Sequence, residues 1–260
     1  MTDMDQSLRE AAIQLKRSRF TTAFTGAGIS VESGVPPFRG EGGLWTQYDP
    51  TVLHYDFFVE NPVVSWEVIK KIFYDFFSHA TPNKAHFVLS RMESEGMLGR
   101  TITQNIDNLH QEAGSVQVYE FHGNSKILTC LSCSRSYSAK SINLDDIPPT
   151  CRECGGLLKP GFVFFGESIP QLPLAVSYEA ASISDVFLII GTSGEVMPAN
   201  QFPFLAKSNG ATIIEINPNP SNYTRRITDI FLCGKASEIM ERLEGFLFPA
   251  SLDDNKNRID

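Results

Sequence analysis

What this sequence lacks narrows its class before any motif is read. No apolar run approaches the roughly 18 residues of a membrane span. The N-terminal MTDMDQSLREAA is acidic and has no apolar core of the kind a secretory signal needs. A cytoplasmic protein with no membrane partner is therefore expected. Basic residues are in deficit: 22 Lys and Arg stand against 30 Asp and Glu, a formal net charge of −8. Nucleic-acid affinity rests largely on phosphate neutralisation, so no direct nucleic-acid binding is expected. Internal repeats and low-complexity segments are absent. Cysteine is scarce, with five in 260 residues, and in a cytosolic chain paired cysteines read as metal ligands before disulfides.

What is present alternates. Helical spacing covers 4–18, 82–95, 172–182, 201–208 and 236–246, and 51–79 reads as two helices split near Asn61-Pro62. Short apolar strands are predicted at 20–25, 100–104, 116–120, 160–165, 186–190 and 212–216. This order implies an α/β fold with a doubly wound parallel sheet, whose ligands bind beyond the C-terminal strand ends. The segments there are GAGIS, TQNIDN, GTSGE and INPNP, all polar and rich in small residues. Residues 34–50 are Gly/Pro-rich loop, 124–160 show little periodicity, and the tail 251–260 is expected to be disordered.

Four cysteines form CLSC at 130–133 and CREC at 151–154, with 17 residues (134–150) between the pairs. That spacing fits a tetrahedral zinc site of Cys130, Cys133, Cys151 and Cys154, with no open coordination position and so a structural role. A redox pair is the rival reading. Cys233, in FLCG, reads as a small buried thiol.

Gly26-Ala27-Gly28 follows a strand and suits close approach to a pyrophosphate, with a following helix N-terminus favouring the anion. The full GxGxxG is missing, since Val31 stands three residues after Gly28, and no acidic residue follows at the usual distance. A simple glycine turn remains open on this motif alone. Phe121-His122-Gly123 puts a histidine just past another strand, where its ordinary pKa suits a general base near neutral pH.

Taken together, GAGIS, ESGVPPFRG, PNKAHFVLSRME, TQNIDNLHQEAG, the FHG triplet, the four cysteines, KPGFVFFGE, GTSGEV and INPNP occur in the order of the sirtuins. The chain resembles that family of NAD-dependent protein-lysine deacylases over about residues 8–245. The resemblance implies a Rossmann-like NAD-binding large domain from 1–33, 81–122 and 161–250. It also implies a small domain, with a cofactor loop and helical part at 34–80 and a zinc ribbon at 123–160. The Pro/Gly loop would fold over the nicotinamide ribose and reorder between ligand states, which prolines and glycines permit.

Residue by residue, the resemblance implies that Gly26, Ala27, Gly28 and Ser30 line the pyrophosphate, and that Phe38 and Arg39 cover the nicotinamide ribose. Gln104 and Asn105 would hold the ribose and reaction pocket, while Ile106 and Asp107 grip the carboxamide. Gly191, Thr192 and Ser193 would meet phosphate and adenine ribose, Asn217 that ribose, and the Cys233 backbone the adenine. His122 would be the catalytic base. Val163, Phe164, Gly166, Glu167 and Val196 would sandwich an acylated lysine peptide as an added strand. Plainer readings stand beside these: Phe38 as packing, Arg39 as a solvated charge, Thr192 and Ser193 as helix caps, Val163 and Phe164 as core.

Three positions depart from the family pattern. Pro37 replaces a common Asp, Gly194 replaces an apolar residue, and Gly161 replaces His or Asp; the last two are expected to relax the acyl channel. The Tyr-x-x-Arg of sirtuins that remove charged acyl groups is replaced by Ile69-Lys70-Lys71-Ile72, which favours uncharged acyl groups. Expected products are nicotinamide, free lysine and O-acyl-ADP-ribose. Mono-ADP-ribosyl transfer on the same site, or a non-enzymatic NAD-binding adaptor, are the alternatives.

Overall fold

The computed structural model describes residues 3–38 and 42–249. Arg39 and the tail 251–260 therefore lie outside the described residues. The helices are α1 (Asp3–Arg17), α2 (Tyr55–Glu60), α3 (Pro62–Ile69), α4 (Lys84–Ser94), α5 (Leu109–Glu112), α6 (Gln171–Ile183), α7 (Gln201–Ser208) and α8 (Ala236–Leu247). The strands are β1 (Thr21–Thr25), β2 (Arg100–Thr103), β3 (Val118–Glu120), β4 (Gly123–Cys130), β5 (Ser136–Ser138), β6 (Leu158–Phe162), β7 (Val186–Ile190), β8 (Thr212–Asn217) and β9 (Ile230–Cys233). No helix among the described residues is long and apolar enough to cross a membrane.

The main sheet runs β3-β2-β1-β7-β8-β9 and is parallel throughout. Strands buried on both faces must be apolar on both, and β7 shows the rule. Val186, Leu188 and Ile190 join the core under α1, α4 and α8, while Phe187 and Ile189 join the core under α6 and α7. After β1 the chain leaves toward β2, and after β7 toward β8. The two central strands thus diverge at their C-terminal ends and open a crevice there.

The structure adds to the sequence reading in two places and corrects it in one. No helix follows β1; two short 3₁₀ turns, Ala27–Ile29 and Val31–Ser33, take its place and stop at Gly34, whose φ of 91° is left-handed. Pro36 and Pro37 then prevent resumption. Residues 124–160, unreadable by periodicity, hold β4 and β5, which pair antiparallel in the sheet β5-β4-β6. Finally, β9 adds an edge strand after β8, and Cys233 at its end is exposed rather than buried.

A third core joins the two segments outside the main sheet. Phe58, Trp66, Ile69 and Phe73 pack with Leu128, Cys130, Cys151, Leu158 and Phe162. The buried Trp66 indole donates to the Leu158 carbonyl at 2.9 Å, tying α3 to β6. The four paired cysteines are free thiols with their sulfurs all within 4.8 Å of one another. Cys130–Cys154 and Cys133–Cys151 Sγ separations are 3.5 and 3.7 Å, far beyond the roughly 2.05 Å of a disulfide. They approach the edge of about 3.8 Å expected for four thiolates around an ion at 2.3 Å. Backbone N–H groups turn toward the sulfurs, as at Ser132 to Cys130 Sγ (3.4 Å), and the Tyr137 hydroxyl contacts Cys151 Sγ (3.1 Å). The arrangement fits structural zinc. Elemental analysis of purified protein is expected to give about one zinc per chain. Chelation should lower thermal stability in wild type but not in a chain already lacking metal through Cys151→Ser. A folded, metal-free wild type would contradict this.

Candidate functional site

The crevice begins where the loops after β1 and β7 touch. Gly28 N–H donates to the Gly191 carbonyl (2.8 Å), and Gly26 N–H to Ile190 (3.0 Å). A Cβ at Gly28 would sit 2.6 Å from Gly191 Cα, and one at Gly191, where φ is +65°, 2.3 Å from Ile29 N. These glycines are needed to bring two strand ends together, a reason beyond access for a phosphate.

A groove of about 520 Å³ runs along this seam. Gly26, Ala27, Gly28, Pro37, Phe38, Gln104, Asn105, His122, Gly191, Thr192, Ser193 and Asn217 line it, so the structure gathers most of the expected cofactor residues. An apolar chamber of about 230 Å³ adjoins it, lined by Trp45, Leu53, Phe73, Ile106 and Phe162 together with Val163, Phe164, Gly166 and Glu167. Four residues line both spaces: Phe38, Gln104, His122 and Val196.

Phe38 is held by its backbone and ring. The Pro37 and Phe38 carbonyls accept from Leu44 N–H (2.9 Å) and Trp45 N–H (3.1 Å), and its ring lies against Trp45 and Phe73. Gln104 Nε2 donates to Thr192 Oγ1 (3.2 Å), bridging two strand-end loops. His122 Nδ1 lies 3.0 Å from the Gln104 carbonyl. A carbonyl only accepts, so Nδ1 carries the proton in the neutral ring and Nε2 keeps its lone pair. Burial holds the His122 pKa below its ordinary value, favouring that neutral form.

Two expected contact residues stand behind the wall. Ser30 is fully buried, its hydroxyl donating to Asp107 Oδ2 (2.7 Å) and accepting from Asn105 Nδ2 (3.1 Å). Asp107 also accepts Leu109 N–H (3.0 Å), and burial raises its pKa. Neither side chain lines the groove here; they fix Asn105, whose amide nitrogen also donates to the Gly26 carbonyl (3.2 Å). Behind them sit His86, 3.5 Å from Ser30 Oγ, and His110, 2.9 Å from Thr25 Oγ1. Asn83 caps α4 and also reaches Ile29 O (2.7 Å) and Ser33 Oγ (2.9 Å), pinning the loop after β1. The sequence reading missed this role of PNKAH, although Asn three residues before His matches a capping pattern.

Cys233 pairs with Asn217 across β8–β9 but its side chain is outside the groove lining. Gly194 and Gly161 do not widen the chamber. A Cβ at Gly194 (φ +73°) would strike Tyr223 at 2.7 Å, and one at Gly161 would press on Ile127 O at 3.2 Å. Each is small because another chain segment crosses it.

Burial holds His86 down to about 4 and His110 well below 6.5. Unfolded imidazoles take up protons near 6.5, so the unfolded chain binds more protons below that pH. Stability should be complete above about pH 7 and fall toward pH 5, by up to about 1.4 kcal/mol per pH unit per histidine. Asp107 and Glu120, whose pKa values burial raises, act in the opposite sense. Denaturant titrations of wild type against His86→Asn isolate the histidine share; equal slopes in the two would contradict it.

A family model described as "Sir2 family" matches residues 26–198. "NAD-dependent protein deacylase 2" of Pyrobaculum aerophilum is 44% identical over 233 residues, covering 88% of this chain and 91% of the relative. "NAD-dependent protein deacylase" of Aeropyrum pernix is 44% identical over 243 residues, covering 92% and 96%. A mutant Sir2 homologue in complex with ADP-ribose superposes with a TM-score of 0.87 at 37% identity, covering 95% of this chain and 96% of that one. A Sir2 complex with a p53 peptide and NAD+ gives 0.85 at 32% identity, covering 91% and 97%. With a doubly wound sheet, a four-cysteine ribbon and these likenesses over nearly its whole length, the chain belongs to the Sir2 family, the sirtuins.

Proposed function

We propose that this chain is an NAD-dependent protein-lysine deacylase, acting on acylated lysine in proteins or peptides. One observation carries the reading: a groove lined by glycines, amides and hydroxyls and a chamber lined by aromatic and aliphatic side chains meet at His122, Gln104, Phe38 and Val196. The groove suits a dinucleotide, because glycine backbones and amide and hydroxyl side chains line it. The chamber suits an aliphatic lysine stem and its acyl group. NAD, when bound, supplies a leaving group and a ribose that receives the acyl group.

The chain's own side chains divide the work. Phe38, packed on Trp45 and Phe73, screens the junction from water. Asn105 and Gln104 orient the ribose, each fixed by hydrogen bonds to strand-end loops. His122 Nε2, unprotonated and facing the junction, takes a ribose hydroxyl proton as general base. Val163 N–H donates to His122 O (2.8 Å) and Phe165 N–H to Leu53 O (2.9 Å), so that edge is filled. Val163, Phe164, Gly166, Glu167 and Val196 line one chamber, where the substrate peptide would add as a strand. Ile106 lines the chamber, and Ser30 and Asp107 act through Asn105.

No Lys or Arg is among the described residues lining the chamber. Lys70 instead pairs with Asp75 and Asp145, and Lys71 lies over Tyr48. This lining favours an uncharged acyl group on the substrate lysine. The core joining residues 44–73 to 128–164 supports a small domain from 34–80 and 123–160 beside a large one from 1–33, 81–122 and 161–250.

A peptide panel with NAD tests the reading. Wild type is expected to release nicotinamide with acetyl and other uncharged acyl-lysines and not with succinyl-lysine. His122→Ala should lose at least about a hundredfold in deacylation while keeping part of the nicotinamide exchange. The acid limb of the wild-type profile should fall below pH 6.5, because burial lowers the His122 pKa. Equal deacylation by the two proteins would remove His122 from the chemistry. Label from NAD found on protein rather than on small molecules would favour ADP-ribosyl transfer.

A further inference from the structure

One fully buried carboxylate takes no part in the chemistry above. Glu215 on β8 is held by neutral donors: Asn217 Nδ2 (2.9 Å), Ser221 Oγ (2.5 Å) and Thr224 Oγ1 (3.0 Å) at Oε1, and Thr228 Oγ1 (2.6 Å) at Oε2. An isolated buried charge is strongly unfavourable, and four donors converging on one carboxylate are what make it tolerable.

Two of those donors, Asn217 and Ser221, line the groove. The Asn217 amide nitrogen donates both to Glu215 and to the Thr192 carbonyl (3.2 Å). Both partners only accept, so the nitrogen must face inward and the amide oxygen is left for the groove. Ser221 has a single hydroxyl hydrogen, which goes to Glu215, while its oxygen accepts Tyr223 N–H (3.0 Å). At Asn217 and Ser221 the wall therefore presents side-chain acceptors and no free side-chain hydrogens.

We propose that Glu215 is a specificity-determining positioning residue. By consuming the hydrogens of Asn217 and Ser221 it leaves these two side chains as acceptors only, so that they take a ribose with free hydroxyls and reject one carrying a phosphate. The inference rests on reading the groove as the dinucleotide site. A ribose hydroxyl donates to Asn217 Oδ1. A phosphate monoester brings acceptors and negative charge only. It finds no Lys or Arg among the described lining residues. Sites that take such a phosphate place an arginine there.

Calorimetry of the zinc-loaded full chain with NAD and with NADP, without peptide, tests this. Wild type should bind NADP at least about a hundredfold more weakly than NAD. Glu215→Gln sets an amide group among the donors, so a neighbour must turn its hydrogen outward. NAD affinity should then fall about tenfold and the NAD-to-NADP ratio narrow about tenfold. In steady state the loss should sit in the KM for NAD, with peptide KM and kcat unchanged within about twofold. A variant with wild-type affinity and ratio overturns the inference. A wild type that binds neither dinucleotide overturns the underlying reading instead. If Glu215→Gln does not fold, Thr228 gives the second measurement, since it lies outside the described lining. Thr228→Val should weaken NAD about fivefold while Thr228→Ser retains affinity; equal affinity in the two overturns the proposal.

Discussion

Everything at this site depends on how closely two backbones approach. The loops after β1 and β7 touch through Gly26, Gly28 and Gly191 at distances no Cβ permits. A parallel sheet that winds in both directions leaves a gap at the reversal point. Here the gap is narrowed until one loop hydrogen-bonds to the next. Only then can Gln104, from the end of β2, reach Thr192 beyond β7 and make one wall out of three strand ends.

The wall is stiff because its polar groups are spoken for from behind. Ser30, Asp107 and Asn105 satisfy one another, and Glu215 does the same for Asn217 and Ser221. In a low-dielectric interior, such networks fix which atom of an amide or hydroxyl faces outward. The chemistry offered to a ligand is therefore set one layer below the surface. Single-residue motifs do not disclose that layer.

That distinction explains what could be read in advance. Doubly buried strands such as β7 announce themselves, because both faces must be apolar. The paired cysteines were legible because metal geometry constrains their spacing. The strands of the ribbon were not, since β4 buries only isolated positions and its pattern is set by one face. The loop after β1 was legible because its glycines and prolines refuse a helix, and Gly34 turns left-handed just before two prolines. Most of the residues expected at the cofactor site come from the strand-end segments and line one groove. Ser30 and Asp107 were expected in the groove but point at each other, a pairing across 77 residues that no local pattern encodes. Gly194 was read as a looser channel, whereas it makes room for the Tyr223 ring 29 positions later.

The same logic bears on the metal. The ribbon holds no groove residue, yet β6 runs from Leu158, which accepts from Trp66, into the segment lining the chamber. Along that segment Lys159 is buried and its ammonium donates to Pro160 O (3.0 Å), Phe162 O (2.7 Å) and Glu167 Oε2 (2.8 Å). Glu167 in turn accepts Phe164 N–H (2.7 Å). A rigid chain of bonds thus connects the cysteine knuckles to the chamber wall. Four thiolates released from their metal would repel and loosen the ribbon, and β6 would lose its pairing with β4. The chamber would then lose the strand on which its shape rests, although no metal takes part in the reaction.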